Sequence, residues 1–302
     1  MTAEPAHSPA GERMALLSFV GSAVFAGANA VGIRFSNREL APLWGAGLRF
    51  GIAAALLVAA MVAMRLELPR GRDLGGAVLY GLLNFAGAFA LAYYALLEMQ
   101  AGIGQTLLAL VPLATLLVAV LVRQEQLRVM ALVGTLLALA GVALVARAPL
   151  GAGLPPLSLI AALGSVVCFA VAAVVVRRFR GVHPVTMNAV GMSSGAAVLI
   201  AASLLAGERQ ALPRLAATWL ALGYLVVLGS VLVFLLYLRV VQQWSASRAA
   251  YIFVLAPFVT VLLSAWLDSE AVGWGLVLGG ALVLLGVYVG ALRPAAHSRT
   301  VA

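Results

Sequence analysis

The sequence predicts an all-α polytopic membrane protein of ten transmembrane helices, arranged as two inverted five-helix repeats. Three observations predict it. Of its 302 residues, 64% are hydrophobic and 10% are charged, whereas a soluble domain is roughly half apolar and a quarter charged; the mean hydropathy is +1.10. The chain divides into apolar runs of about 20 residues, the length that crosses a hydrocarbon core of roughly 30 Å as a helix. Its second half echoes its first at a constant step of 145 residues.

The first repeat, 14–147, holds runs at 14–33, 42–64, 74–97, 101–121 and 129–147. A linker at 148–156 leads to the second repeat, 157–292, with runs at 157–177, 184–206, 215–238, 246–266 and 271–292. Short tails, 1–13 and 293–302, flank the two. The runs are too long for barrel strands and lack their polar alternation. Arg13 and Ala28-Asn29-Ala30 give the first run some features of a cleaved leader. It is kept as a span because the repeat needs it as the partner of span six.

All 19 basic residues are arginine. They are scattered singly between apolar runs, which reads as a topology signal rather than a nucleic-acid surface. Thirteen fall on the side that holds both termini. Five (Arg34, Arg38, Arg147, Arg209 and Arg214) fall on the other, and Arg49 lies inside span two. The positive-inside rule then places both ends in the cytoplasm of a bacterial inner membrane. The single cysteine, Cys168, excludes a disulfide within the chain. His7, His183 and His297 lie in tails or a loop, so neither a metal site nor a histidine proton relay is expected within the spans.

Residues 100–149 align without gaps on 245–294, with thirteen of the fifty positions identical. Chance in so biased a composition gives roughly one match in ten. The matches include residues with backbone or charge roles: Pro112 with Pro257, Thr115 with Thr260, Glu125 with Glu270, Gly134 with Gly279, Gly141 with Gly286, and Pro149 with Pro294. A unit of five spans is odd, so two copies enter the membrane from opposite sides, as in many secondary transporters. Leu110-Val111-Pro112, Glu125, Gly134 and Gly141-Val142, repeated as Leu255-Ala256-Pro257, Glu270, Gly279 and Gly286-Val287, together with Asn29 and Arg49, resemble the EamA-type exporters of the drug/metabolite transporter superfamily. The resemblance covers nearly the whole chain. It implies ten helices, cytoplasmic termini, export of small metabolites (often amino acids), and a cavity formed by spans one, three, four, six, eight and nine. Phe25 stands where many members carry tryptophan.

Candidate substrate-contacting residues follow from polarity within spans. Tyr80, Asn84, Gly87, Leu91 and Tyr94 recur at steps of four and three, which puts them on one helical face. That face either hydrogen-bonds a neighbouring helix or lines a wet cavity. Gln105, Pro112 and Thr115 share a face of span four. Pro112 and Pro257 leave the carbonyls of Leu108 and Phe253 without helical donors, so both are expected to bend their helices. Asn29, Asn188 and Tyr251 are further substrate-binding candidates. Arg49 is the one charge well inside a span. It either pairs with Glu39, Glu98 or helix-end carbonyls, or it attracts a substrate carboxylate. The tryptophans at span ends read as interfacial anchors.

No carboxylate lies at mid-membrane: Glu98, Glu125, Asp268 and Glu270 all sit at span ends. A nearly neutral cavity suits a neutral or zwitterionic amphipathic solute, such as a hydrophobic or aromatic amino acid. Gly191-Met192-Ser193-Ser194-Gly195 matches the G-x-S-x-G elbow of hydrolases, but it falls in an apolar helix with no histidine base in any span. The expectation is a secondary exporter working by alternating access, with no enzymatic activity, no cofactor and no bound metal. A lipid flippase or other metabolite carrier is the alternative, ahead of a channel or sensor scaffold.

Overall fold

The computed structural model describes residues 9–123, 129–147, 154–179, 181–243, 251–267, 269 and 272–289. Among them every element is helical and there is no strand. Seven helical segments are long and apolar enough to cross a membrane, and two shorter apolar helices follow at 252–267 and 274–286. A further helix runs Val129–Arg147. Large apolar side chains such as Leu121, Leu205, Trp266 and Trp274 are mostly exposed on the outside, as a lipid-facing surface requires. The protein is a polytopic membrane protein. Glu125, Pro149, Trp244, Glu270 and Pro294 lie outside the described residues.

Span one is two helices, α1 (Pro9–Gly27) and α2 (Asn29–Asn37), which meet at Ala28. Other spans hold the carbonyls at this joint. Tyr224 donates its hydroxyl to the Phe25 carbonyl at 2.7 Å, and Thr260 donates to that of Gly27. Side chains inserted beside the helical ladder are a known cause of such breaks. α3 (Pro42–Ala63) starts on a proline, where no helical N–H is lost. Span three consists of α4 (Gly71–Gly81), a π turn (Leu82–Gly87) and α5 (Ala88–Ala95). In span four, α6 (Ala101–Leu108) and α7 (Val111–Leu121) are separated at the residues just before Pro112. α8 is Val129–Arg147.

In the second half, α9 (Pro156–Val176) ends in a short 3₁₀ turn, and α10 (Pro184–Leu205) again starts on a proline. Span eight is α11 (Ala216–Val226), a π turn (Val227–Leu232) and α12 (Val233–Gln243). α13 (Tyr251–Leu267) carries Pro257 without interruption, and α14 is Trp274–Val287. The two π turns lie 145 residues apart. So do the starts of α8 and α14.

Contacts between the halves are reciprocal. α3 packs on α10, and α8 on α14. A Cβ on Gly141 would lie 2.7 Å from the Gly279 carbonyl oxygen and the Val283 nitrogen. A Cβ on Gly286 would lie 2.5 Å from the Gly134 oxygen and the Ala138 nitrogen. Each contact maps onto the other by the same step, and only glycine permits backbones this close.

One rim repeats the exchange. Glu208, from the loop after α10, accepts from the backbone N–H of Leu43 at 3.2 Å and Trp44 at 2.9 Å, at the start of α3. Glu39, after α2, accepts from the N–H of Arg214 at 3.2 Å and Leu215 at 2.9 Å, just before α11. A carboxylate at a helix N-terminus satisfies donors that have no helical partner. The Glu39 carboxyl is held below its ordinary value by the Thr218 hydroxyl first, then by the Leu215 N–H.

Candidate functional site: a central cavity

Between the helices lies a cavity of about 90 Å³, several times the space one buried water needs. Span one contributes Asn29, Ala30 and Ile33. Span three contributes Asn84, Phe89, Ala92 and Leu96. Span four adds Gln105, Leu108 and Val111, and α9 adds Ala162, Ser165 and Phe169. Span eight supplies Val233, Phe234 and Tyr237, and α13 supplies Ile252 and Phe253. Among the described residues, the lining contains no aspartate, glutamate, histidine or arginine.

Four phenylalanines stand in the wall, in edge-to-face or tilted contact. Phe89 meets Phe169 with ring centroids 5.3 Å apart and Phe234 at 6.2 Å; Phe169 meets Phe253 at 6.2 Å. The polar groups are few. Asn84 is 5% exposed, and its Nδ2 has no hydrogen-bond partner. The fully buried Ser165 Oγ has none either.

Arg49 lies one layer behind this wall, fully buried. Its Nε donates to Ser230 Oγ at 2.8 Å. Its Nη2 donates to the Gly229 carbonyl at 2.8 Å and to Asn29 Oδ1 at 3.2 Å. The guanidinium carbon stands 4.7 Å from the Phe89 ring centre, within cation–π range. The expected pairing with Glu39 or Glu98 is corrected: Glu39 caps residues 214–215, and Glu98 accepts from Ser158 at 3.1 Å. The partners are instead neutral groups, and the carbonyl among them belongs to a π turn rather than to a helix end.

The π turn in span three also corrects the face drawn from 3.6-residue spacing. A π turn carries one residue more than an α turn, so the face that starts at Asn84 continues at Phe89, Ala92 and Leu96. Leu91 packs against Gly164 instead. Tyr94 turns outward, 39% exposed. Tyr80 is buried with its hydroxyl unpartnered, and Asn188 is buried with neither amide atom partnered; neither lines the cavity. Thus Asn29, Asn84 and Gln105 come together, while Tyr80, Tyr94 and Asn188 stand apart. Tyr251 begins α13, but its side chain lies outside the described ones.

Of the two prolines, Pro112 interrupts its helix and Pro257 does not. Spacing alone passed over Ser165 and the four cavity phenylalanines, because serine and phenylalanine are unremarkable within apolar runs. The G-x-S-x-G stretch lies inside α10, where Ser194 donates to the Gly191 carbonyl at 3.0 Å and Gly191 packs against Gly81. No strand–turn–helix elbow forms there.

A helical membrane protein with a cavity lined by several of its spans belongs to the carrier class of architectures. The comparisons narrow that class. Residues 13–147 and again 156–291 match the EamA-like transporter family, and the chain belongs to that family. It is 31% identical over 273 residues to the inner membrane transporter YedA of Escherichia coli K12, covering 87% of this chain and 88% of YedA. It is 27% identical to the transporter YyaM of Bacillus subtilis, covering 90% and 91%. A solved crystal structure shares the fold with a TM-score of 0.67 at 22% identity, over 92% of this chain and 96% of the other.

Proposed function

We propose that this protein is a secondary transporter that exports small neutral or aromatic amino acids and related metabolites by alternating access. Ten helices in two inverted five-helix halves rock about the central cavity, and both termini lie in the cytoplasm of the inner membrane. The observation that carries the reading is the cavity itself: a wall with four phenylalanines and with Asn29, Asn84, Gln105, Ser165 and Tyr237 as its polar points. Such a lining accepts an apolar or aromatic side chain and hydrogen-bonds a polar end. The inverted arrangement is supported by the double family match, the π turns 145 residues apart and the reciprocal glycine contacts. The arginine asymmetry and the inner-membrane relative support the orientation and location.

The test is uptake of labelled phenylalanine, tryptophan and leucine into proteoliposomes containing only this protein. Saturable uptake is expected, falling about tenfold in Asn84→Ala and Gln105→Ala, the loss of roughly one hydrogen bond to substrate. Linear, unsaturable flux points to a channel. Movement of fluorescent lipid without solute uptake points to a flippase.

A further inference from the structure

Within that reading, the charge the cavity recognises is open to inference. The Arg49 guanidinium is wholly buried, and no carboxylate among the described residues pairs with it. Its hydrogen bonds go to the neutral Ser230, Gly229 and Asn29, and a further neighbour is the neutral phenol of Tyr93. Two of the groups it touches, Asn29 and Phe89, form the cavity wall, so its positive field reaches the cavity through a single layer of side chains. In a low-dielectric interior such a field is weakly screened. The acceptor side of Asn29 is committed to the arginine, and its Nδ2 faces the Gly229 carbonyl at 3.3 Å.

Two fully buried polar atoms of the lining that lack a partner match this field. Asn84 Nδ2 only donates, and Ser165 Oγ can donate. A carboxylate brings acceptors alone and satisfies both. An ammonium brings donors alone, leaves Asn84 Nδ2 unsatisfied, and meets an unpaired cation one layer away. Among the described residues, the lining offers no carboxylate to offset that repulsion.

We propose that the cavity reads the carboxylate of its substrate and not an ammonium, so that its substrate class is the monoanionic aromatic or branched-chain carboxylic acid. Amino acids are the subset whose ammonium is tolerated, with the carbonyl of Leu108, left without a helical donor by Pro112, available to receive it. This rests on the transport reading above and sharpens its substrate class.

The experiment compares three probes that share a phenyl ring: phenylacetate, phenylalanine and phenethylamine, each taken up by proteoliposomes of the full chain at pH 7. Phenylacetate is expected to enter at least as fast as phenylalanine, and phenethylamine roughly tenfold or more slowly. Asn84→Asp, which places a carboxylate in the lining, is expected to shift the acid-to-amine ratio toward the amine by about tenfold. Ser165→Ala is expected to reduce acid uptake with little change for the amine, and it serves as the second variant if Asn84→Asp does not fold. Equal uptake of acid and amine by the wild type overturns the inference and leaves the transport reading in place. Uptake of none of the three removes both.

Discussion

The two π turns are one backbone device placed at matching points of the two halves, yet their surroundings are opposite. Arg49 is the eighth residue of α3, and Gly191 is the eighth residue of α10. Each faces the fourth residue of a π turn. Gly191 lies against the Phe85 ring, 3.1 Å from where its Cβ would sit, while Arg49 reaches Ser230 at 2.8 Å. The third residue of the turn is Asn84 in one half and Gly229 in the other. In the second half, Arg49 and Asn29 both donate to the Gly229 carbonyl, and the turn is clamped by them. In the first half, helices meet on glycine and phenylalanine, and the asparagine amide is left facing the cavity. The backbone repeats; the chemistry has divided into a side whose groups are held in hydrogen bonds and a side whose amide faces the cavity.

Breaking the clamp has the largest expected effect. A Cβ on Gly229 would collide with Asn29 Oδ1, so Gly229→Ala forces that amide off both the arginine and the carbonyl. It is expected to cost about 3 kcal/mol, near the upper end for overpacking, measured as thermal unfolding in detergent. Asn84→Ala, at the matching place, is expected to keep the wild-type Tm while transport falls about tenfold. Similar Tm losses in both variants would erase the division of labour.

Next in size is the reciprocal glycine pair. Gly141→Ala and Gly286→Ala each press a methyl onto backbone and are expected to lose about 2 kcal/mol apiece. Equal losses sharpen the picture of two halves sharing one backbone plan, and clearly unequal losses weaken it.

The smallest effect concerns pH. The Glu39 carboxyl is held below its ordinary value of 4.5 by the Thr218 hydroxyl and the Leu215 N–H. Its contribution is therefore complete at neutral pH and is lost as pH falls below that value through the folded one. Tm measured from pH 7 to pH 3 is expected to drop more steeply for the wild type than for Glu39→Gln. Parallel curves would show that the cap contributes nothing measurable.

Much of the fold was legible in the sequence because lipid imposes one simple rule, about 20 apolar residues per crossing. Pro42 and Pro184 mark helix starts for a reason local to the chain. Pro112 was legible as a break, yet the same residue type at 257 leaves α13 intact. The site was less legible, since a π turn has no signature in residue type. It rotated Tyr94 outward and brought Phe89 inward although spacing argued otherwise. Ser165 matters through where it stands, and the partner of Arg49 is a backbone carbonyl 180 residues away.

The crossed carboxylate caps on the rim have one more consequence. Any motion that parts the loops there must detach Glu39 from the end of α11 and Glu208 from the end of α3. Both fastenings are carboxylate-to-amide bonds at or near the water, where the released groups are promptly rehydrated. Such a fastening gives a definite resting arrangement yet resists separation only slightly, so it can be undone and remade many times with little free energy at each opening.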